Sequence, residues 1–145
     1  MQKTQFMLAS AVTAVKKTNG RNSKLMVSEA EMGAKGFAAG MHIMAPGGFS
    51  KPHVHEKEQE AMYFYSGCGK CTVGGQEHAI VPESFLLAPA GVVHSIENTG
   101  SEPLKFVWIY CPPLPEHRSQ EAYHRDAKDQ AKQTATPDGG GDGHG

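Results

Sequence analysis

The sequence predicts an all-β fold, an antiparallel sandwich or barrel. Three observations carry this reading. Between residues 41 and 111, short apolar patches alternate with turn signals: MHIMA, AMYFY, CTV, HAIV, SFLLA, VVHSI and LKFVWIYC are broken by PGG, SGCG, GGQ, PE, PAG, NTGSEP and PPLP. The patches are too short for core helices and are spaced as strands. The 17 Gly and 9 Pro of a 145-residue chain supply the turns such strands need.

Taken in order, residues 1–35 are mixed in character. The stretch FMLASAVTAV at 6–15 follows Lys3 and has the small-residue composition of a signal peptide, but Ser10 and Thr13 interrupt it and Lys16–Lys17 follow at once. It is expected to be a first strand or a helical turn. Residues 25–27 and 37–44 read as strands, followed by the seven patches above. After Pro115 the chain turns polar, with Ala122, Tyr123, Ala127 and Ala131 at helical spacing. The expected organisation is one barrel domain over 1–115 with a motif-bearing core at 41–111, a short polar helix within 116–133, and a disordered tail at 134–145. His117 and His124 fall in the polar segment and His144 in the tail, and all three are expected to be solvated.

Composition narrows the function classes. A net charge of −1 and a pI near 6.7 point to neither a nucleic-acid nor an anionic-membrane partner. Three cysteines are an odd number, unsuited to a secreted disulfide framework. No apolar run reaches the length of a membrane span. The expected location is the cytoplasm and the expected partner a small molecule.

Chemistry concentrates in GGFSKPHVHEKEQEAMYFYSG, residues 47–67. On a strand, His53 and His55 share a face and Val54 points away. Glu60 opens the next apolar run and can return to the same interior. Two imidazoles and a carboxylate suit a divalent first-row metal. His94, in PAGVVHSIEN, is the obvious distant fourth ligand.

At this point the chain resembles the cupins. Their first motif is met by Gly47, His53, His55, Glu60 and Gly67; in the second, Pro89, Gly91, His94 and Asn98 fall into register. One position departs: Glu83 stands where a turn glycine is usual. The resemblance implies a double-stranded β-helix, or jelly-roll barrel. It also implies one divalent transition metal held by His53, His55, Glu60 and His94, with Fe or Mn favoured by availability over Ni, Cu, Co or Zn. Small cupins often dimerise through N-terminal strands, which here points to residues 20–44 and a homodimer.

Alternation from Glu60 turns Met62 and Phe64 inward and Tyr63 and Tyr65 outward. Several cupin lyases carry a Tyr at the Met62 position, so Met62 argues against that chemistry and is either core or pocket wall. Catalytic candidates are therefore Glu60, His42 and Met62. His78, like His42, is either a packing residue or an acid–base group. Phe64, Phe85, Phe106 and Trp108 supply aromatic surface, most of it core. Cys68 and Cys71 form CGKC, but the third cysteine, Cys111, cannot complete a four-cysteine zinc site, and Cys71 reads as core. No arginine lies between Arg21 and Arg118. This favours a neutral or weakly acidic substrate over one gripped by a guanidinium, unless Arg21 reaches the pocket mouth.

The leading expectation is a mononuclear metal enzyme, a dioxygenase acting on an oxygen-chelating diketone, enediol or phenol. The alternatives are an oxygen-independent isomerase or epimerase, cyclase or lyase, and a non-enzymatic small-molecule binder. The last is weakened because residues 1–40 contain no helix-turn-helix pattern.

Overall fold

In the computed structural model, residues 3–134 are described; His144 and all but the first residue of the expected tail lie outside them. Ten strands form two antiparallel sheets. They are β1 (Val15–Lys17), β2 (Arg21–Val27), β3 (Ala38–Met44), β4 (Phe49–His53), β5 (Gln59–Ser66), β6 (Gly69–Val73), β7 (Gln76–Ile80), β8 (Ser84–Ala88), β9 (His94–Glu97) and β10 (Leu104–Cys111). One sheet runs β1-β2-β3-β10-β5-β8 and the other β4-β9-β6-β7. This is the expected barrel. The 6–15 stretch holds a short 3-10 turn at Ala9–Ala11 and leads into β1. No described helix is long and apolar enough to cross a membrane.

Strand alternation decides what each sheet buries. Along β10, Leu104, Phe106, Trp108 and Tyr110 face the interior; along β5, Glu60, Met62 and Phe64 do; along β3, Ala38, Gly40, His42 and Met44. Gly40 is required by packing: a Cβ there would sit 2.2 Å from the Trp108 ring. The interior faces of β2, β3, β5 and β10 thus join one core, which also takes in Leu25, Ile80 and Ile96.

Among the described residues, two α-helices accompany the barrel strands. Helix α1 (Glu29–Met32) starts on Ser28, whose hydroxyl accepts the Glu31 N–H, and stops on Gly33 in the left-handed region. Helix α2 (Gln120–Thr134) follows a 3-10 turn at Pro115–Arg118. Its first turn is held by Ser119 Oγ, which accepts the Ala122 N–H at 3.0 Å, and by the Glu31 carboxylate, which accepts the Gln120 N–H at 2.6 Å. The expected stripe holds for three of its four residues: Ala122 and Tyr123 are buried and Ala127 packs on the core, while Ala131 is exposed.

Three sequence expectations are corrected. His117 is not solvated but 3% exposed, because the 3-10 turn folds its ring against Trp108 and Tyr110. Phe85 is not core; it sits on the outward face of the edge strand β8 and is 80% exposed. His55 is not on a strand with His53: the ladder of β4 ends at His53.

Candidate metal centre

Four of the predicted side chains meet at one end of the barrel. The antiparallel register of β4 and β9 sets His53 opposite His94, with ring centroids 4.2 Å apart. Glu60 enters from the start of β5, opposite Tyr110 of β10. His55 comes from the loop after β4, and that loop is tied down by the Gly91 N–H, which donates to the His55 carbonyl at 2.8 Å. The Pro-x-Gly turn of the second motif therefore braces the His-x-His segment of the first. One potential ligand atom from each of His53, His55, Glu60 and His94 lies within 4.8 Å of the others.

The hydrogen bonds on the far side of two rings fix which nitrogen faces this centre. His53 Nδ1 lies 2.7 Å from the Lys51 carbonyl, and His94 Nδ1 3.1 Å from that of Val92. A carbonyl only accepts, so each Nδ1 carries the proton and each Nε2 keeps its lone pair. Both Nε2 atoms are buried without a hydrogen-bond partner. His94 Nε2 is 3.4 Å from Glu60 Oε1. Two orphaned imidazole lone pairs beside a carboxylate and a third imidazole are the donor set a divalent ion takes. These four residues could hold a metal ion.

Burial sets the charge states. It drives the His53 imidazole down to about 4, against the Lys51 carbonyl, which favours the charged ring. For His94 burial pulls the same way, but Glu60 and the Val92 carbonyl outweigh it and raise the pKa.

The centre opens on a small cavity, about 20 Å³, enclosed by side chains from both sheets and from the C-terminal segment. His42 is on its wall, stacked on Phe106, with Nε2 unpartnered. Burial lowers its pKa well below the usual value, so the ring is neutral. Tyr110 is fully buried, 3.4 Å from His55 Nε2, and burial followed by the charge of Glu60 raises its phenol well above the ordinary range. His117 and Tyr123 complete the wall. Burial takes the His117 imidazole down to about 3. Its Nδ1 accepts the Leu114 N–H at 3.1 Å, so the proton sits on Nε2.

The remaining candidates are elsewhere or differently placed. Met62 is buried in the core and is absent from the cavity wall. His78 is exposed on β7. Cys68, Cys71 and Cys111 are free, with Cys71 buried as expected. Arg21 is the larger surprise. The pocket does contain a guanidinium, because β2 turns Arg21 inward, where it is 3% exposed and part of the cavity wall. Sequence reasoning also missed His117 and Tyr123 as wall residues. The Tyr123 stripe was visible, but nothing local says that a C-terminal helix will dock on the barrel.

The comparisons agree with this architecture. The cupin-domain family profile matches residues 40–110. The tetracenomycin polyketide synthase protein TcmJ of Streptomyces glaucescens is 25% identical over 130 residues, 90% of this chain and 85% of that protein. The structure of KdgF from Halomonas sp. superposes with a TM-score of 0.70 at 15% identity, covering 79% of this chain and 98% of that one. The polyketide cyclase RemF from Streptomyces resistomycificus gives 0.67 at 19% identity, covering 79% and 82%. Sequence motifs, barrel topology and the convergent histidines lead to one conclusion: the chain is a small cupin-domain protein.

Proposed function

We propose that this protein is a metal-dependent enzyme that moves protons on a small, enolisable, oxygen-rich molecule, with ring closure of a polycarbonyl compound as the reaction class. The observation that carries this reading is one cavity lined by three members of the ligand cluster, His53, Glu60 and His94, and by neutral proton-handling groups, His42, Tyr110 and His117. The similarity to TcmJ and the fold shared with RemF support the substrate class.

His53, His55, Glu60 and His94 would hold the ion. A divalent metal supplies Lewis-acid polarisation of substrate oxygens and so acidifies the neighbouring C–H. His42, neutral and with a free Nε2, is placed to accept such a proton. Tyr110 keeps its proton at neutral pH and donates a hydrogen bond. Phe106, Trp108 and Tyr123 give the cavity an apolar side. Iron or manganese remains the favoured ion on availability, and the cytoplasm the proposed location.

A second reading keeps the same ion and makes the protein a dioxygenase. The aromatic side of the wall, Phe106, Trp108 and Tyr110, favours it, because those rings offer packing surface to an oxidisable aromatic group. Assays of metal-loaded protein on enolisable diketones and polyphenols, in air and under strict anaerobiosis, separate the two. Turnover that survives without oxygen supports the proton-transfer reading. Turnover that stops, with one O₂ consumed per substrate in air, overturns it. Saturable binding with no turnover in either atmosphere makes the protein a binder and overturns both.

We also propose a homodimer. The outward face of the six-stranded sheet exposes Ile43, Phe85, Leu87 and Ile109, with Met41 from the predicted 20–44 segment partly exposed beside them. An apolar face of this kind on a small protein is a common self-association surface.

A further inference from the structure

We propose that Arg21 forms an anion subsite on the cavity wall, and that the substrate carries a carboxylate seated there while its other oxygens face the ligand cluster. Arg21 is 3% exposed, and its guanidinium is held on one edge only: Nε donates to the Thr18 carbonyl at 2.9 Å and Nη2 to Thr18 Oγ1 at 3.3 Å. Nη1 is buried with no partner. None of the ion pairs among the described residues includes Arg21. A guanidinium stays charged even where burial lowers its pKa, as it does here. A buried, unpaired cation is costly, and proteins keep one where a ligand supplies the missing charge.

The neighbours point the same way. His42 Nε2 is the second orphaned polar atom on the same wall outside the ligand cluster. The Thr18 grip holds the guanidinium in place before any ligand arrives, so little ordering is lost on binding. Nη1 has N–H groups with no partner, and a carboxylate oxygen can accept from them. Phe106, Trp108 and Tyr110 lie on the wall with it, and the space of about 20 Å³ that they leave takes a small polar group such as a carboxylate. The subsite deepens the proposed function by naming the substrate class, an organic acid. It rests on the cavity being the substrate chamber and not on the metal.

Trp108 lines the cavity and is the single tryptophan of the chain, so its fluorescence reports on occupancy. The test titrates acetate and its uncharged counterpart acetamide, at constant ionic strength, into metal-loaded and chelator-treated protein. The proposal expects acetate to bind at least about tenfold more tightly than acetamide in both forms. It also expects Arg21→Met to abolish that preference while His94→Ala leaves it in place. Equal binding of the two probes by the unaltered protein overturns it. So does a preference that survives Arg21→Met, or one confined to the metal-loaded form. That last result puts acetate on the ion and leaves the metal reading standing. Should Arg21→Met fail to fold, bromide soaked into crystals of the unaltered protein decides: anomalous density beside Arg21 Nη1 supports the subsite, and its absence there overturns it.

Discussion

Glu83 shows at residue scale how a sequence departure is absorbed. The position calls for a glycine, and the backbone adopts φ +69 with glutamate in place, held by the Glu83 N–H donating to the Phe64 carbonyl at 2.8 Å. The turn survives and the strain is carried. Glu83→Gly should therefore stabilise the fold by up to about 1 kcal/mol in urea unfolding. Gly67 is the opposite case. Its φ is +87, and a Cβ would lie 2.4 Å from the Pro103 carbonyl oxygen, a backbone atom with nowhere to go. Gly67→Ala should cost about 2–4 kcal/mol by the same measurement. The ligand residues were legible because their spacing is local or fixed by motif. Arg21 was legible only as the exception that would reach the pocket mouth, and His117 and Tyr123 were not legible, because their inward placement depends on which strands and helices become neighbours.

At the scale of elements, the strand patches were readable because period-two alternation and glycine-rich breaks are local signals. Strand β4 was the exception: FSKPH has no apolar alternation, and it became visible only through its histidine. The docking of α2 was also hidden, since its partners, among them one polar cluster, lie in distant parts of the chain. Ser23 on β2 is the hub. Its hydroxyl is 2.7 Å from the Tyr123 hydroxyl, accepts the Trp108 indole N–H at 3.3 Å, and lies 3.2 Å from the Met41 carbonyl. Ser23→Ala should strand both the tyrosine and the indole in a dry site and cost about 2–3 kcal/mol. Tyr123→Phe leaves the serine its other partners and should cost only about 1 kcal/mol. The difference between the two variants in urea unfolding checks that the hub is Ser23. Equal losses would contradict it.

The whole molecule should respond to acid through its buried neutral histidines. His117 has a folded pKa of about 3 against about 6.5 in the unfolded chain. Between those values the unfolded state binds a proton that the folded state refuses, so stability present above about pH 6.5 is lost as pH falls toward 3. A full one-proton difference corresponds to about 1.4 kcal/mol per pH unit. Chelator-treated protein should lose stability across this window, and His117→Gln should make the slope shallower by up to that amount. An unchanged slope would mean that His117 is not buried neutral. The dimer belongs to this scale too. Light scattering should give twice the 15.6 kDa chain mass, and Phe85→Lys with Leu87→Lys should return it to one.

The account as a whole depends on His53, His55, Glu60 and His94 gathering around one ion. Metal content by mass spectrometry, on protein purified without chelator, tests this most directly when the unaltered chain is compared with His94→Ala. The account predicts close to one divalent metal per chain and loss of most of it in the variant, with the circular dichroism of the barrel unchanged. Equal metal content in a folded His94→Ala protein would contradict it.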